Sequence, residues 1–161
     1  MIKYLKYIIV IAIFLSGCDY SAETLGGWGD RTFPISRGKL TMAINKLYSL
    51  NSQYKVPEKW MDEDSSEIKS YFFLQSMTFY FKENPEEMYY VTFIGDSTML
   101  ADSSKTIISV RSVYNGGYYK WPRWIDESPA EQKRIGERFD KEIISKLELY
   151  TGTKCIKEVE N

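Results

Sequence analysis

Histidine is absent from all 161 residues, and that omission removes much of the chemistry a small domain performs. No Ser–His or Cys–His nucleophile pair can be assembled, and zinc sites that lean on imidazole lose their usual donor. Carboxylates remain, clustered at Asp62/Glu63/Asp64, Glu86/Glu87 and Asp126/Glu127. Glycoside hydrolysis needs two carboxyls facing each other across a cleft, roughly 5–9.5 Å apart. These acids are sequence neighbours in polar stretches, so they read as solvated loop charge. Asp62 to Glu67 offers oxygen ligands for calcium but lacks the spacing and central glycine of an EF-hand loop. The expectation is a chain with no catalytic residues, metal site or cofactor.

The richest recognition chemistry lies in Tyr114-Asn115-Gly116-Gly117-Tyr118-Tyr119-Lys120-Trp121-Pro122-Arg123-Trp124. Tyr, Trp and Arg are the types enriched at binding hot spots, because they offer large contact area at low entropic cost. Tyr118, Tyr119, Trp121, Arg123 and Trp124 are therefore the candidate binding residues. A competing reading has Tyr118, Trp121 and Trp124 cover the open end of a sheet under a helix. Two ligand classes fit: another protein, or a glycan on whose sugar faces Tyr119, Trp121 and Trp124 would stack. Trp28 is a lesser candidate.

Tyr90 to Ile94 runs as a strand into Gly95-Asp96-Ser97, which resembles the nucleophile block of the GDSL esterases. In that family the block opens the domain and a later Asp-x-x-His supplies the base. Here no histidine exists, and Ser97 without a base is a weak nucleophile. A turn favouring Asp and Ser accounts for the same residues.

The N-terminus carries a different signal. Lys3 and Lys6 precede the apolar run Ile8 to Leu15, and Leu15-Ser16-Gly17-Cys18 closes it with small residues. A basic start, a short apolar core and a small-residue site make a secretory signal peptide over residues 1–17. The core is shorter than the ~20 residues a spanning helix needs. Leu-Ser-Gly-Cys resembles the lipobox of bacterial lipoproteins, which implies that Cys18 becomes the mature N-terminus and carries an acyl chain such as palmitate. Asp19 beside it resembles the inner-membrane retention signal of enterobacteria. Residues 18–32 hold Gly26, Gly27 and Gly29 and no periodicity, and read as a lipidated tether to a single domain over 33–161.

Losing residues 1–17 leaves 144, a normal single-domain size. The 21 basic residues fall to 19 against 22 acidic, so the side-chain charge is about −3. A mildly acidic body has no basic stripe for nucleic acid and should stand off an anionic bilayer. Cys155 is left without an intramolecular partner and reads as a small buried hydrophobe. Cohesion must therefore come from burial.

The elements follow from period and punctuation. Ser36 caps a helix with Leu40, Ala43, Ile44, Leu47 and Leu50 on one face, and Ile35 with Leu40 form the staple pair. Val56-Pro57 is extended, Trp60 plugs the core edge, and Met61 to Glu67 is an acidic loop. Tyr71–Phe81 predicts a central strand, because both faces are apolar. Asn84-Pro85 turns it into Met88–Ile94, and Gly95–Ser104 is a polar connection. Lys105–Tyr114 follows, with Ile108, Val110 and Tyr114 on one face and Ile107, Val113 and an exposed Arg111 on the other. Asn115-Gly116 predicts a type I′ hairpin into a short strand, Gly117–Trp121. Ser128-Pro129-Ala130-Glu131 is a capping box opening a helix with Ile135, Phe139, Ile143 and Leu147 at four-residue steps. Gly152 stops it, and an edge strand around Cys155 to Lys157 is an option.

The whole reads as an α+β two-layer domain: helix, antiparallel sheet of three to four strands, helix. The functional expectation is a non-enzymatic lipoprotein of the cell envelope, outside the cytoplasm and held to a membrane through its N-terminal lipid. It would act by protein–protein recognition, as immunity-type or accessory lipoproteins do; a glycan- or peptidoglycan-binding module is the alternative.

Overall fold

The computed structural model describes residues 27–60, 76–83, 85–115 and 121–157. Signal peptide, Cys18, most of the tether, the Met61–Glu67 loop, the start of the strand expected from Tyr71, and Tyr118 and Tyr119 lie outside the described residues.

The α+β class holds. The elements are β1 (Asp30–Phe33), α1 (Arg37–Leu50), β2 (Ser76–Phe81), β3 (Glu87–Ile94), α2 (Ser97–Ala101), β4 (Thr106–Tyr114), α3 (Pro129–Phe139), α4 (Ser145–Thr151) and β5 (Ile156–Lys157). A π-helical turn, Asp140–Ile144, joins α3 to α4. Among the described residues five strands form one antiparallel sheet in the order β2-β3-β4-β1-β5, against the three to four expected. α1, α3 and α4 pack on one face of it, around Phe33, Leu40, Leu47, Phe79, Tyr89, Val91, Ile108, Val110, Ile135, Phe139 and Leu147.

Several sequence expectations need correction. Residues 27–32, expected to be tether, belong to the fold: Gly27 and Trp28 are buried, and Asp30–Phe33 is an inner strand between β4 and β5. Glycine-rich spacing hid this strand, since four residues give period-2 alternation too little length to show. Trp28 is a core residue, not a surface candidate, and its Nε1 has no hydrogen-bond partner among the described residues. The expected central strand is β2, an edge. Its two apolar faces arise because α1 and α3 cover Phe79 and Phe81 (Tyr48 stacks on Phe79 at 5.4 Å), while Tyr80 on the other face bonds Glu86. The polar connection contains α2, whose N-cap Asp96 accepts from the Thr98 and Met99 amides.

A β-bulge reverses the face assignment at the end of β4. Val91 faces Val110 and Tyr90 faces Ser112, so Arg111 is the extra residue. Beyond it the alternation slips by one. Val113 joins Ile108 and Val110 in the core, and Tyr114 swings to the opposite face. Arg111 is half-buried, with Nε donating to Thr92 Oγ1.

The two helix starts match their caps. Ser36 accepts from the Lys39 amide and Ser128 from the Glu131 amide, with Pro129 at the first helical position. Glu131 does not complete the reciprocal capping box as expected: its carboxylate pairs with Arg134. The π turn inserts one residue per turn, which brings both Ile143 and Ile144 into the core. Gly152, at φ 69°, caps α4 in the left-handed region, where glycine avoids the Cβ penalty. Leu50, expected on the buried face of α1, is exposed beyond the last core contact.

Candidate functional site

The sheet face turned away from the helices gathers rings at one end. Tyr90 on β3 and Tyr114 on β4 both point to that face, and Trp121 lies across them, 6.3 Å from Tyr90 and 5.5 Å from Tyr114. Trp60 extends the row, meeting Tyr114 edge-on at 5.4 Å. Glu86 closes it, accepting from Trp60 Nε1 and from the Tyr80 hydroxyl. That hydrogen bond to a carboxylate holds the Tyr80 phenol above its ordinary pKa. The period-2 geometry explains the neighbouring acids: Glu86 faces the rings and Glu87 faces the helices.

Trp121 and Trp124, expected to act as one patch, lie on opposite faces. Pro122 accepts from the Val113 amide and Arg123 bridges Ser112, so the chain returns antiparallel to the end of β4. Among the described residues that return is an isolated bridge at Arg123; Gly117 to Lys120 of the expected fourth strand lie outside the described residues. A 3₁₀ turn, Trp124–Asp126, then carries Trp124 round to pack against the main core. Gln132 Nε2 holds its carbonyl at 2.9 Å. Arg123 is 63% exposed and paired with Asp126 at 3.4 Å. Ile125 in the same turn is 63% exposed.

On the helix side, Glu87 is a buried ion that sequence reasoning took for loop charge. Its side chain is 1% exposed and pairs with Arg134 and, at 3.0 Å, with Arg138; it also accepts from the Tyr89 hydroxyl. Arg138 further binds the carbonyls of Glu83 and Pro85 and the Glu142 carboxylate, lying 4.6 Å from the Phe81 ring centre. The signal was available in outline: Arg134, Arg138 and Glu142 recur at four-residue steps beside the buried stripe of the same helix. Every oxygen of Glu87 is committed to this packing, which makes it a structural group.

The other candidate groups resolve as follows. Asp96 spends its carboxylate on a helix cap, and Ser97 stands exposed at the first position of α2. Cys155 is half-buried, and burial pushes its thiol up to about 11, so it stays protonated at neutral pH. A dent lined by Arg37, Ile94, Met99 and Lys105 holds about 10 Å³, room for a single water. Among the described residues no three acids or cysteines stand together as metal ligands, and no described helix is long and apolar enough to cross a membrane. No protein-family model matches the chain, and neither curated proteins nor solved structures yield a match.

Proposed function

We propose that this chain is a lipid-anchored domain of the bacterial cell envelope that acts by recognising another protein through the ring row Trp60, Tyr114 and Trp121. The observation carrying this reading is that row itself: large rings on the sheet face opposite α1, α3 and α4, stiffened by Glu86 at one end and the Pro122 return at the other. Rings held in one rotamer lose little entropy on binding, which is what makes them anchors at interfaces. A glycan platform needs an open ring face. Trp60 and Trp121 meet Tyr114 at 71° and 43°, so the rings spend part of their faces on one another, which favours a protein surface over a sugar. The lipobox reading of Cys18 supplies the location.

Two measurements test the reading. Mass spectrometry of the membrane-associated protein should find an acylated Cys18 as the first residue; an intact Met1 overturns the anchor. Affinity capture from native envelope should recover a stoichiometric protein partner, weakened about tenfold or more by Trp121→Ala, as loss of a hot-spot tryptophan requires. Thermal unfolding of the variant separates lost binding from lost fold. Retention on muropeptides with no protein partner would favour the glycan reading.

A further inference from the structure

Where the tether meets the fold has a bearing on which corner of the domain lies nearest the membrane. The Trp28 amide donates to Val110 and the Val113 amide to Pro122. Both junctions lie on the same edge of β4, three residues apart, which is about 10 Å at ~3.4 Å per strand residue. Gly27 is pressed onto that edge: a Cβ there would meet Ser109 Oγ and the Val110 carbonyl at 2.7 Å. The space further along β4 is taken by Pro122 and Arg123. The tether therefore reaches the fold beside the segment that leads into the Trp124–Asp126 turn.

That turn and its N-cap carry an exposed arginine, Arg123, and an exposed isoleucine, Ile125, on either side of Trp124, which packs on the core. The exposed pair suits a bilayer interface: an aliphatic side chain to insert and a cation on a long stem to reach phosphate. Asp126, Glu127 and Glu131 outweigh the arginine and the body as a whole is mildly acidic, so the contact is apolar and it is the tether, not charge, that overcomes the repulsion of an anionic bilayer. The nine steps from Cys18 to Gly27 span at most ~30 Å extended, and ~16 Å as a flexible coil. A tether that short supplies an effective concentration in the millimolar range, so a contact too weak to hold the free domain suffices for the anchored one.

We infer that the Arg123–Ile125 corner rests on the lipid headgroups of the bilayer that holds the tether. This rests on the anchored reading above, but its test does not. Residues 19–161, which contain every described element, are given a hexahistidine before Asp19. They are held on phosphatidylethanolamine/phosphatidylglycerol vesicles containing a nickel-chelating lipid and a headgroup energy-transfer acceptor. In a Cys155→Ser background, a donor dye sits either at Ala130→Cys, one helical turn beyond the corner, or at Ser103→Cys, at the opposite end of the sheet. β4 alone separates those ends by about 27 Å, so transfer from position 130 should exceed that from 103 by about twofold or more. Ile125→Asp, a change at an exposed side chain, should erase the difference. Equal or reversed transfer, or a difference that survives Ile125→Asp, overturns the inference. Equal transfer on these protein-free vesicles is also the outcome expected if the corner serves a protein instead. Loss of the acyl group at Cys18 in the native protein would strike the anchor reading and leave this measurement standing.

Discussion

Glu87 shows how much one side chain's direction matters. Turned outward, it would be one more solvated acid beside Glu86; turned inward, it is a buried charge answered by two guanidiniums and a phenol. Removing the charge from such a cluster strands the partners, and breaking a buried pair costs about 3–5 kcal/mol. Glu87→Gln should therefore lower unfolding stability by about 3 kcal/mol, measured by urea denaturation at pH 7. Glu86→Gln, on the other face, should cost less and leave the helix packing unchanged. The sequence showed both acids but not their sides. Parity becomes readable only once the strand start is known, and Asn84-Pro85 located the turn without fixing which residue first pairs. The same limit applied to Tyr114, whose face depends on a bulge at Arg111 that leaves no mark in composition.

Helices were the most legible elements, because caps and a 3.6-residue stripe are local properties. Ser36, Ser128, Pro129 and Gly152 all mark the ends they were expected to mark. The π turn was not legible, since it answers to tertiary demands. Asp140 at its start binds Arg31 on β1 at 3.0 Å and Lys157 on β5 at 2.7 Å. One carboxylate thus fastens two strands to the helix layer. The return from α4 to β5 has its own fastener: Glu148 accepts from Lys154 and from the Cys155 amide. Those two hydrogen bonds hold the Glu148 carboxyl below the ordinary glutamate value of 4.5. A lowered folded-state pKa contributes stability that is present above the unfolded value and lost as pH falls through the folded one. Amide exchange in the β1–β5 ladder should therefore quicken as pH drops below about 4.5, after correction for intrinsic rates. Glu148→Gln should show the faster exchange already at pH 7 and lose most of the pH dependence.

At the scale of the whole molecule, the fold class was legible and the boundary was not. The expected domain began at residue 33, but β1 lies between β4 and β5, and Arg31 reaches both the Trp28 carbonyl and Asp140. A protein begun at residue 33 should fail to show a cooperative thermal transition or near-UV circular dichroism, whereas one begun at residue 27 should show both. Equal cooperativity in the two would deny β1 its place in the core. The candidate site was half legible: composition pointed to the Trp121–Trp124 stretch, but the sheet divides its two tryptophans between faces and recruits Trp60 and Tyr90 from elsewhere. That the first described strand is an inner one also decides how the domain would bear a pull on its N-terminal side. With the proposed anchor, tension would enter along β1, loading its hydrogen bonds to two neighbours together in shear. Peeling them one at a time would need a sideways force. Were the proposed acyl chain to hold it on a moving surface, the molecule would be tied at the part of its architecture best able to resist being drawn out.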